Sequence, residues 1–465
     1  MISDSQRTTR VIASIVTGMG AFLTPFLGSA INIALPAIGR EFQLSTITIG
    51  WIATVYLLTA VIFLVPIGRL ADIYGRKRIF RLGTVIFTLA SLACGFSNSA
   101  LMLIATRILQ GIGSPMIFGT GVAILTSIYP AGQKGKAIGI NTAAVYLGLS
   151  TGPFLGGLLT QYLGWRSIFF LAGSFGLIAF ILVYFYLRDE WAEARGEKFD
   201  WQGAFIYGLM ISTLMYGFSR LPDRMGFGFI GCGALGSVLF IWWEMRVVNP
   251  VLEIRLFRSN TVFALSNLAA LINYSATFAV GFLLSLYLQY VKYFSPRQAG
   301  LLLVIQPLIQ TIFSPITGRF SDKIEPRLVA SAGMGITSLG LLALTFIQST
   351  TPVALIAGSL FLLGMGFAFF SSPNTNAVMS SVERRFYGVA SGTLGTMRLT
   401  GQMLSLGISL LIISIYVGQV RISPDNFPQF LKSIRTAFAF FAGICFIGIL
   451  ASLARGKVQP TYHIR

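Results

Sequence analysis

Charge is scarce in this sequence. Only 11% of its 465 residues are Asp, Glu, Lys or Arg, against roughly 25% in soluble domains. Histidine occurs once, as His463 in the C-terminal tail, so no cluster of histidines for a metal and no histidine-activated nucleophile can be assembled. The three cysteines, Cys94, Cys232 and Cys445, stand far apart in uncharged stretches; they read as small apolar fillers, not as a disulfide set or a zinc site. No G-x-x-x-x-G-K-[ST] phosphate loop occurs. The longest polar segment is RDEWAEARGEKFD, 188–200, too short for a soluble sensor domain. These absences argue against an enzyme, a receptor and a nucleotide-driven machine, and no cofactor or metal is expected.

What the chain has is apolar length. It is 55% hydrophobic with a mean hydropathy of +0.77, and uncharged runs such as 11–39 and 43–68 each exceed the roughly 20 residues that a spanning helix needs. Stretches such as FTLASLACGF are apolar on all sides, which excludes the alternating pattern of barrel strands. The expected fold is therefore an all-α integral membrane protein. Cutting at charges and Pro/Gly turns predicts about fourteen helices, near 11–35, 48–69, 79–97, 100–129, 137–162, 167–187, 202–219, 226–243, 260–289, 298–318, 328–348, 352–380, 388–417 and 434–454. The first hydrophobic segment is too long for a cleaved signal peptide and reads as a retained helix.

Most of the 34 Lys and Arg fall in segments on the side of the N-terminus, so the positive-inside rule places both termini in the cytoplasm. The net charge of +19 is spread over many short loops. It suits the anionic cytoplasmic leaflet, at about 1 kcal/mol per nearby basic residue, and does not suggest nucleic acid.

Two cassettes punctuate the chain: GRLADIYGRKRIF from Gly68 and GRFSDKIEPRLV from Gly318. Each follows the second helix of a six-helix block and carries Gly-Arg, then an aspartate, Asp72 or Asp322, then basic residues. The reading is two related halves, 1–200 and 259–465, with a helix pair and connecting loop inserted at 201–258.

These residues resemble the signatures of the major facilitator superfamily and, within it, the fourteen-helix drug:proton antiporter group. The first cassette is similar to the family loop G-x-L-x-D-r-x-G-r-k/r-r at Gly68, Leu70, Asp72, Gly75, Arg76, Lys77 and Arg78. LIATRILQGIG resembles the fourth-helix signature at Arg107, Gln110, Gly111 and Gly113. YLGLSTGPFLGG resembles the antiporter signature of the fifth helix at Gly148, Gly152, Pro153, Gly156 and Gly157. NPVLEIRLFRS, 249–259, resembles the segment leading into the ninth helix. The resemblance implies a major facilitator fold of two pseudo-symmetric six-helix halves plus a two-helix insert, rocking around a central cavity, with a small-molecule substrate and a proton or other ion as an open question. A monomer in the plasma membrane is expected.

The physical reading adds roles. Gly68, Asp72, Gly75, Arg76 and Asp322 are gating candidates, because a carboxylate among cations at a helix end can pair with Arg76 or cap a neighbouring helix. Gly148, Gly152 and Pro153 join them: repeated glycines permit close helix approach and the proline a bend; a plain packing seam stays open as the alternative.

All fifteen Asp and Glu are expected in tails or loops. In the antiporter group the first helix carries L-D-x-T-I-V-N-V-A-L-P; here FLGSAINIALP has Leu27 in place of the aspartate. That departure argues against proton coupling through a carboxylate in this helix, and against a cationic substrate. The charges left within helices are Arg107 and Arg398, each costing about 2.5 to 3.5 kcal/mol at a helix centre unless it faces protein or water. Either could bind an anionic or zwitterionic group, or hold helices together through carbonyls and amides. Asn32, Gln110, Asn141 and Tyr146 in the first half, and Asn273, Gln306, Gln310, Asn374 and Gln402 in the second, are candidates for the same cavity. The expected function is export of a small anionic, zwitterionic or neutral amphipathic organic compound. The alternative is a facilitator or importer of an organic anion without proton coupling through an intramembrane carboxylate.

Overall fold

The computed structural model describes residues 4–129, 134–187, 189–221, 223–383 and 387–456. Within them there is no strand. The helices are α1 (Asp4–Glu41), α2 (Thr46–Tyr74), α3 (Arg76–Gly95), α4 (Ala100–Ile128), α5 (Lys134–Tyr162), α6 (Arg166–Tyr186), α7 (Trp201–Arg220), α8 (Arg224–Glu244), α9 (Arg255–Ser259), α10 (Thr261–Thr277), α11 (Ala279–Leu286), α12 (Pro296–Leu303), α13 (Ile305–Lys323), α14 (Pro326–Leu344), α15 (Val353–Ser380), α16 (Tyr387–Tyr416) and α17 (Phe427–Ala454). Thirteen segments among the described residues are long and apolar enough to cross a membrane, α10–α11 and α12–α13 each forming one of them. The remaining expected helix is α7. The protein is a multi-pass membrane protein.

Several boundaries differ from expectation for identifiable reasons. Helix α1 runs through Pro25 and Pro36 to Glu41, because a proline inside a membrane helix removes one backbone bond that neighbouring groups can replace. The chain turns at Gln43, whose φ is 56°. The span expected over 260–289 pauses after Thr277 and ends in a π-turn, Tyr287–Val291. The carboxylates are also placed differently: Asp4, Glu41, Asp72, Glu244 and Asp322 belong to helix ends, not to tails or loops, although none is in mid-span. Glu244 is buried and accepts the Leu252 N–H at 3.0 Å, so it caps the turn after α8.

The chain divides into two units. Unit 1 holds residues 1–44, 48–208 and 295–300; unit 2 holds 45–47, 209–294 and 301–465. Within unit 1, α1 packs on α5, and α3 packs on α4 and α6. Within unit 2, α10 packs on α16, and α14 packs on α15 and α17. The pairing order is the same, and so is the atomic fit at the crossings. A Cβ on Gly113 would lie 2.7 Å from the Phe87 nitrogen, and one on Gly366 would lie 2.6 Å from the Thr337 nitrogen. A Cβ on Gly111 would meet the Tyr56 carbonyl, and one on Gly364 the Gln306 carbonyl. Gly83 in α3 and Gly333 in α14, the partners of Gly113 and Gly366, stand equally far beyond Gly68 and Gly318. The repeat seen in the cassettes therefore extends into the helix crossings of each unit.

Candidate functional site

In unit 1 the intramembrane cation is sealed. Arg107 is 1% exposed. It donates Nε to the Ile52 carbonyl at 3.2 Å and Nη1 to Gln110 Oε1 at 2.6 Å, and its guanidinium lies 4.2 Å from the centre of the Tyr56 ring. Gln110 passes the chain on, donating Nε2 to Ser91 Oγ at 2.7 Å, and Ser91 donates to the Phe87 carbonyl at 2.6 Å. Two bonds to a charged donor contribute about 1.5 to 3 kcal/mol each. That matches the roughly 2.5 to 3.5 kcal/mol cost of the charge, so no acid is needed. Gly111, one residue beyond Gln110, brings α4 against the α2 backbone, which puts the Ile52 carbonyl within reach of Arg107.

The other first-half candidates are arranged differently. Asn32 on α1 and Asn141 on α5 are buried, and Tyr146 is half-buried; none of the three bonds to Arg107. Gly148, Gly152 and Gly156 form the α5 face against α1: a Cβ on Gly148 would strike the Phe22 carbonyl, and one on Gly156 would lie 2.8 Å from Ala30 Cα. Pro153 is buried in the same stretch.

The first cassette is a closed ion network. Arg76, the first residue of α3, donates Nε to Asp72 Oδ1 at 2.9 Å and Nη1 to Glu193 Oε1 and Ser127 Oγ, both at 2.8 Å. The Lys77 N–H donates to Glu190 Oε1 at 2.8 Å, and Arg69 pairs with Glu197. Gly75 joins α2 to α3 with φ 116°, a sparsely populated conformation that costs an L-residue about 1 to 3 kcal/mol. Its missing Cβ also makes room for the Glu190 carboxylate, which would lie 2.5 Å from it. Gly68 is half-buried in α2. The sequence pointed to the Asp72–Arg76 pair but not to Glu190 and Glu193. The signal was present: 188–200 is the most acidic segment of the chain, and the cassette is among the most basic. The side chain of Asp322 lies outside the described residues; in that second cassette Arg327 pairs with Glu325 at 2.9 Å.

In unit 2 the intramembrane cation is only half-buried. Arg398 on α16 lies 5.4 Å from the centre of the Tyr274 ring on α10, and Tyr274 meets Phe367 of α15 edge-on at 5.3 Å. Arg398 makes no salt bridge among the described residues. A cation–π contact of about 0.5 to 2 kcal/mol falls short of the insertion cost, so this guanidinium keeps donors to give. Beside Tyr274, the side chain of Asn273 is fully buried, and neither amide atom has a hydrogen-bond partner among the described residues. Gln310 Nε2 on α13 is likewise unpartnered; Gln402 on α16 is buried and Gln306 half-buried.

Asn374 is engaged elsewhere. Its Oδ1 accepts from Arg455 Nη1 at 2.8 Å, and its Nδ2 donates to the Ser266 carbonyl at 3.1 Å. Arg455, one residue beyond the helix expected over 434–454, is 1% exposed and also donates to Ser266 Oγ at 3.2 Å. Burial, then the nearby Arg327 charge, pulls its pKa down to about 10 while Glu325 opposes the shift; it stays charged at neutral pH. This wedge joins the end of α17 to α10 and α15. Nothing in the local sequence, LASLARGK, marks it, because its acceptors come from two remote helices.

Comparison with known proteins adds a family. Residues 17–263 and 266–463 match the family described as Major Facilitator Superfamily. The riboflavin transporter RibZ of Clostridioides difficile (strain 630) is 28% identical over 449 residues, covering 95% of this chain and 96% of its own. The multidrug resistance protein Stp of Mycobacterium tuberculosis (strain CDC 1551 / Oshkosh) is 32% identical over 407 residues, covering 86% of this chain and 75% of its own. Among solved structures, a bacterial homolog of the human lysosomal transporter Spinster, inward-facing and unoccupied, superposes with a TM-score of 0.71 over 97% of both chains at 14% identity.

Proposed function

Since the chain belongs to the Major Facilitator Superfamily and is a membrane transporter of a small molecule, we propose that it exports a small organic compound of anionic, zwitterionic or neutral amphipathic character by alternating access. The observation that carries this reading is Arg398: a half-buried guanidinium stacked on Tyr274 with no salt bridge among the described residues. A half-buried cation favours an anion or a strong acceptor, and the Tyr274 and Phe367 rings, both buried beside it, make its surroundings apolar and aromatic. Asn273 supplies an amide whose donor and acceptor are both uncommitted. Gln306, Gln310 and Gln402 complete the second-half contacts, with Asn32, Asn141 and Tyr146 in the first. Arg107 with Gln110 serves as the pin that holds the first half while it moves.

The first cassette acts as the cytoplasmic latch, through Gly68, Asp72, Gly75 and Arg76, with Asp322 in the corresponding position of the second. Arg76 is buried within this network, whereas the Arg78–Glu190 pair at its edge is the exposed one; such a pair contributes only ~0 to 1 kcal/mol, which suits a contact that must open in each cycle. Gly148, Gly152 and Pro153 let α5 slide against α1. The proposed setting is a monomer in the plasma membrane with both termini cytoplasmic. The functional division is 1–200, 201–258 and 259–465.

A second reading, uncoupled movement of an organic anion, draws on Leu27, which is fully buried in α1 where the antiporter group has an aspartate. Purified protein in proteoliposomes with an imposed pH gradient separates the two. Riboflavin, from the name of the relative that aligns over nearly the whole chain, is the first compound to test, followed by organic anions and cations. Proton-driven accumulation of an organic cation would sink the preferred substrate class; anion counterflow indifferent to the gradient would favour the second reading. Arg398→Ala is expected to raise the apparent KM about tenfold or more, the loss of one charge-assisted bond. If affinity for every transported compound is unchanged, the binding role is wrong.

A further inference from the structure

Thr345, just past the end of α14, and the first three turns of α17 line an open groove of about 660 Å³. Pro428, Leu431, Lys432 and Arg435 line it. Lys432 and Arg435, one turn apart on α17, are both exposed, and neither forms a salt bridge among the described residues. Arg435 donates Nε to the Thr345 carbonyl at 3.0 Å, which holds the guanidinium at the groove and leaves its terminal nitrogens for another acceptor. Lys432 Nζ stands 5.3 Å from the centre of the Tyr416 ring, so its position too is set by the fold.

The depth of this groove in the membrane follows from helix geometry. At about 1.5 Å per residue, the stretch of α17 from Arg435 to Arg455 is about 30 Å long, the thickness of the hydrocarbon core. With Arg455, just past the end of α17, taken at one boundary, this length puts Arg435 at the other. Between them α17 exposes Phe446, Ile447 and Leu450, an apolar surface suited to acyl chains. A pair of cations without a carboxylate partner, at headgroup level and above a lipid-facing helix, is complementary to one membrane component.

We infer that this groove binds the headgroup phosphate of an anionic glycerophospholipid in the leaflet opposite the Arg455 end of α17, with Lys432 and Arg435 as its cationic contacts. A zwitterionic lipid carries its own cation into the same groove and binds more weakly. The site lies apart from the substrate contacts proposed above and does not depend on them.

Native mass spectrometry of the full chain, released from micelles containing phosphatidylglycerol, phosphatidylcholine or inorganic phosphate, tests this. The wild type is expected to retain phosphatidylglycerol in preference to phosphatidylcholine. Each basic residue near a membrane surface is worth about fivefold, so the Lys432→Gln/Arg435→Gln double variant is expected to retain phosphatidylglycerol about 25-fold more weakly. Both side chains are exposed, and an unchanged thermal midpoint would exclude misfolding; Lys432→Gln alone, which leaves the Arg435–Thr345 bond intact, should lose about fivefold. Arg421→Gln, a nearby cation outside the groove, should leave retention unchanged. Equal retention of the two lipids by the wild type would overturn the proposal. So would full retention by the double variant, an equal loss in Arg421→Gln, or displacement of phosphatidylglycerol by inorganic phosphate at comparable concentration.

Discussion

Three arginines at membrane depth or its edge, Arg107, Arg398 and Arg455, meet the cost of a low-dielectric setting in three ways. Arg107 spends its donors on a backbone carbonyl and a glutamine and becomes part of the core. Arg455 finds an asparagine and a serine hydroxyl on two other helices. Arg455 still leaves Nε and Nη2 buried without a partner among the described residues, whereas Arg398 has an aromatic face and half-exposure, which is why the binding role is proposed for it. The difference is testable by stability. Gln110→Leu strands a buried charged donor and should destabilise the protein by about 2 to 3 kcal/mol, read as a lower thermal midpoint in detergent; Arg398→Leu should leave that midpoint within about 0.5 kcal/mol of the wild type while lowering transport. Equal destabilisation by the two would remove the distinction between pin and binding residue. Arg455→Met and Arg455→Ala both strand Asn374 Oδ1 and Ser266 Oγ, but methionine fills the volume that alanine leaves as a cavity, so it is expected to lower the thermal midpoint less.

At the scale of the elements, the glycines decide which helices can cross. Where a Cβ would meet backbone, the neighbour cannot rotate away. Gly113→Ala and Gly366→Ala should therefore each cost about 1 to 3 kcal/mol, and by similar amounts, because they face the Phe87 and Thr337 nitrogens in the same way. Gly75 poses a different case. The Glu190 carboxylate can swing aside from a new Cβ, at the loss of its bond to the Lys77 N–H, but the φ of 116° cannot be relieved. Gly75→Ala is expected to destabilise unit 1, and adding Glu190→Ala should recover none of the backbone strain. A double variant as stable as the wild type would show that the contact alone governs this turn. These crossings were only partly legible beforehand. The cassettes and the fifth-helix glycines stood out by repetition, whereas Gly83 and Gly333 became a pair only when the helices they touch were known.

For the whole molecule, the distribution of basic residues predicts a topology that labelling can check. In a background with the native cysteines replaced by alanine, Ser349→Cys, in the exposed turn between α14 and α15, should react with an impermeant maleimide in intact cells. Arg195→Cys, in the exposed segment before α7, should react only after permeabilisation. The reverse pattern would invert the proposed orientation and with it the cytoplasmic latch.

Much of this protein follows from its order of residues. Apolar length and the scarcity of charge are properties of composition, so they announce a helical membrane protein without reference to any contact. Spaced glycines and the cassettes at Gly68 and Gly318 announce its family and its internal repeat. What composition cannot supply is the partner of each polar group, because an acceptor such as the Ile52 carbonyl or Asn374 Oδ1 is distant in sequence and becomes near only through packing. Arg107 and Arg398 look alike in the sequence, and Arg455 looks like a surface residue. Tertiary structure separated them by deciding which partners each one meets and how far it is buried, and desolvation is expensive enough in the membrane for those differences to matter.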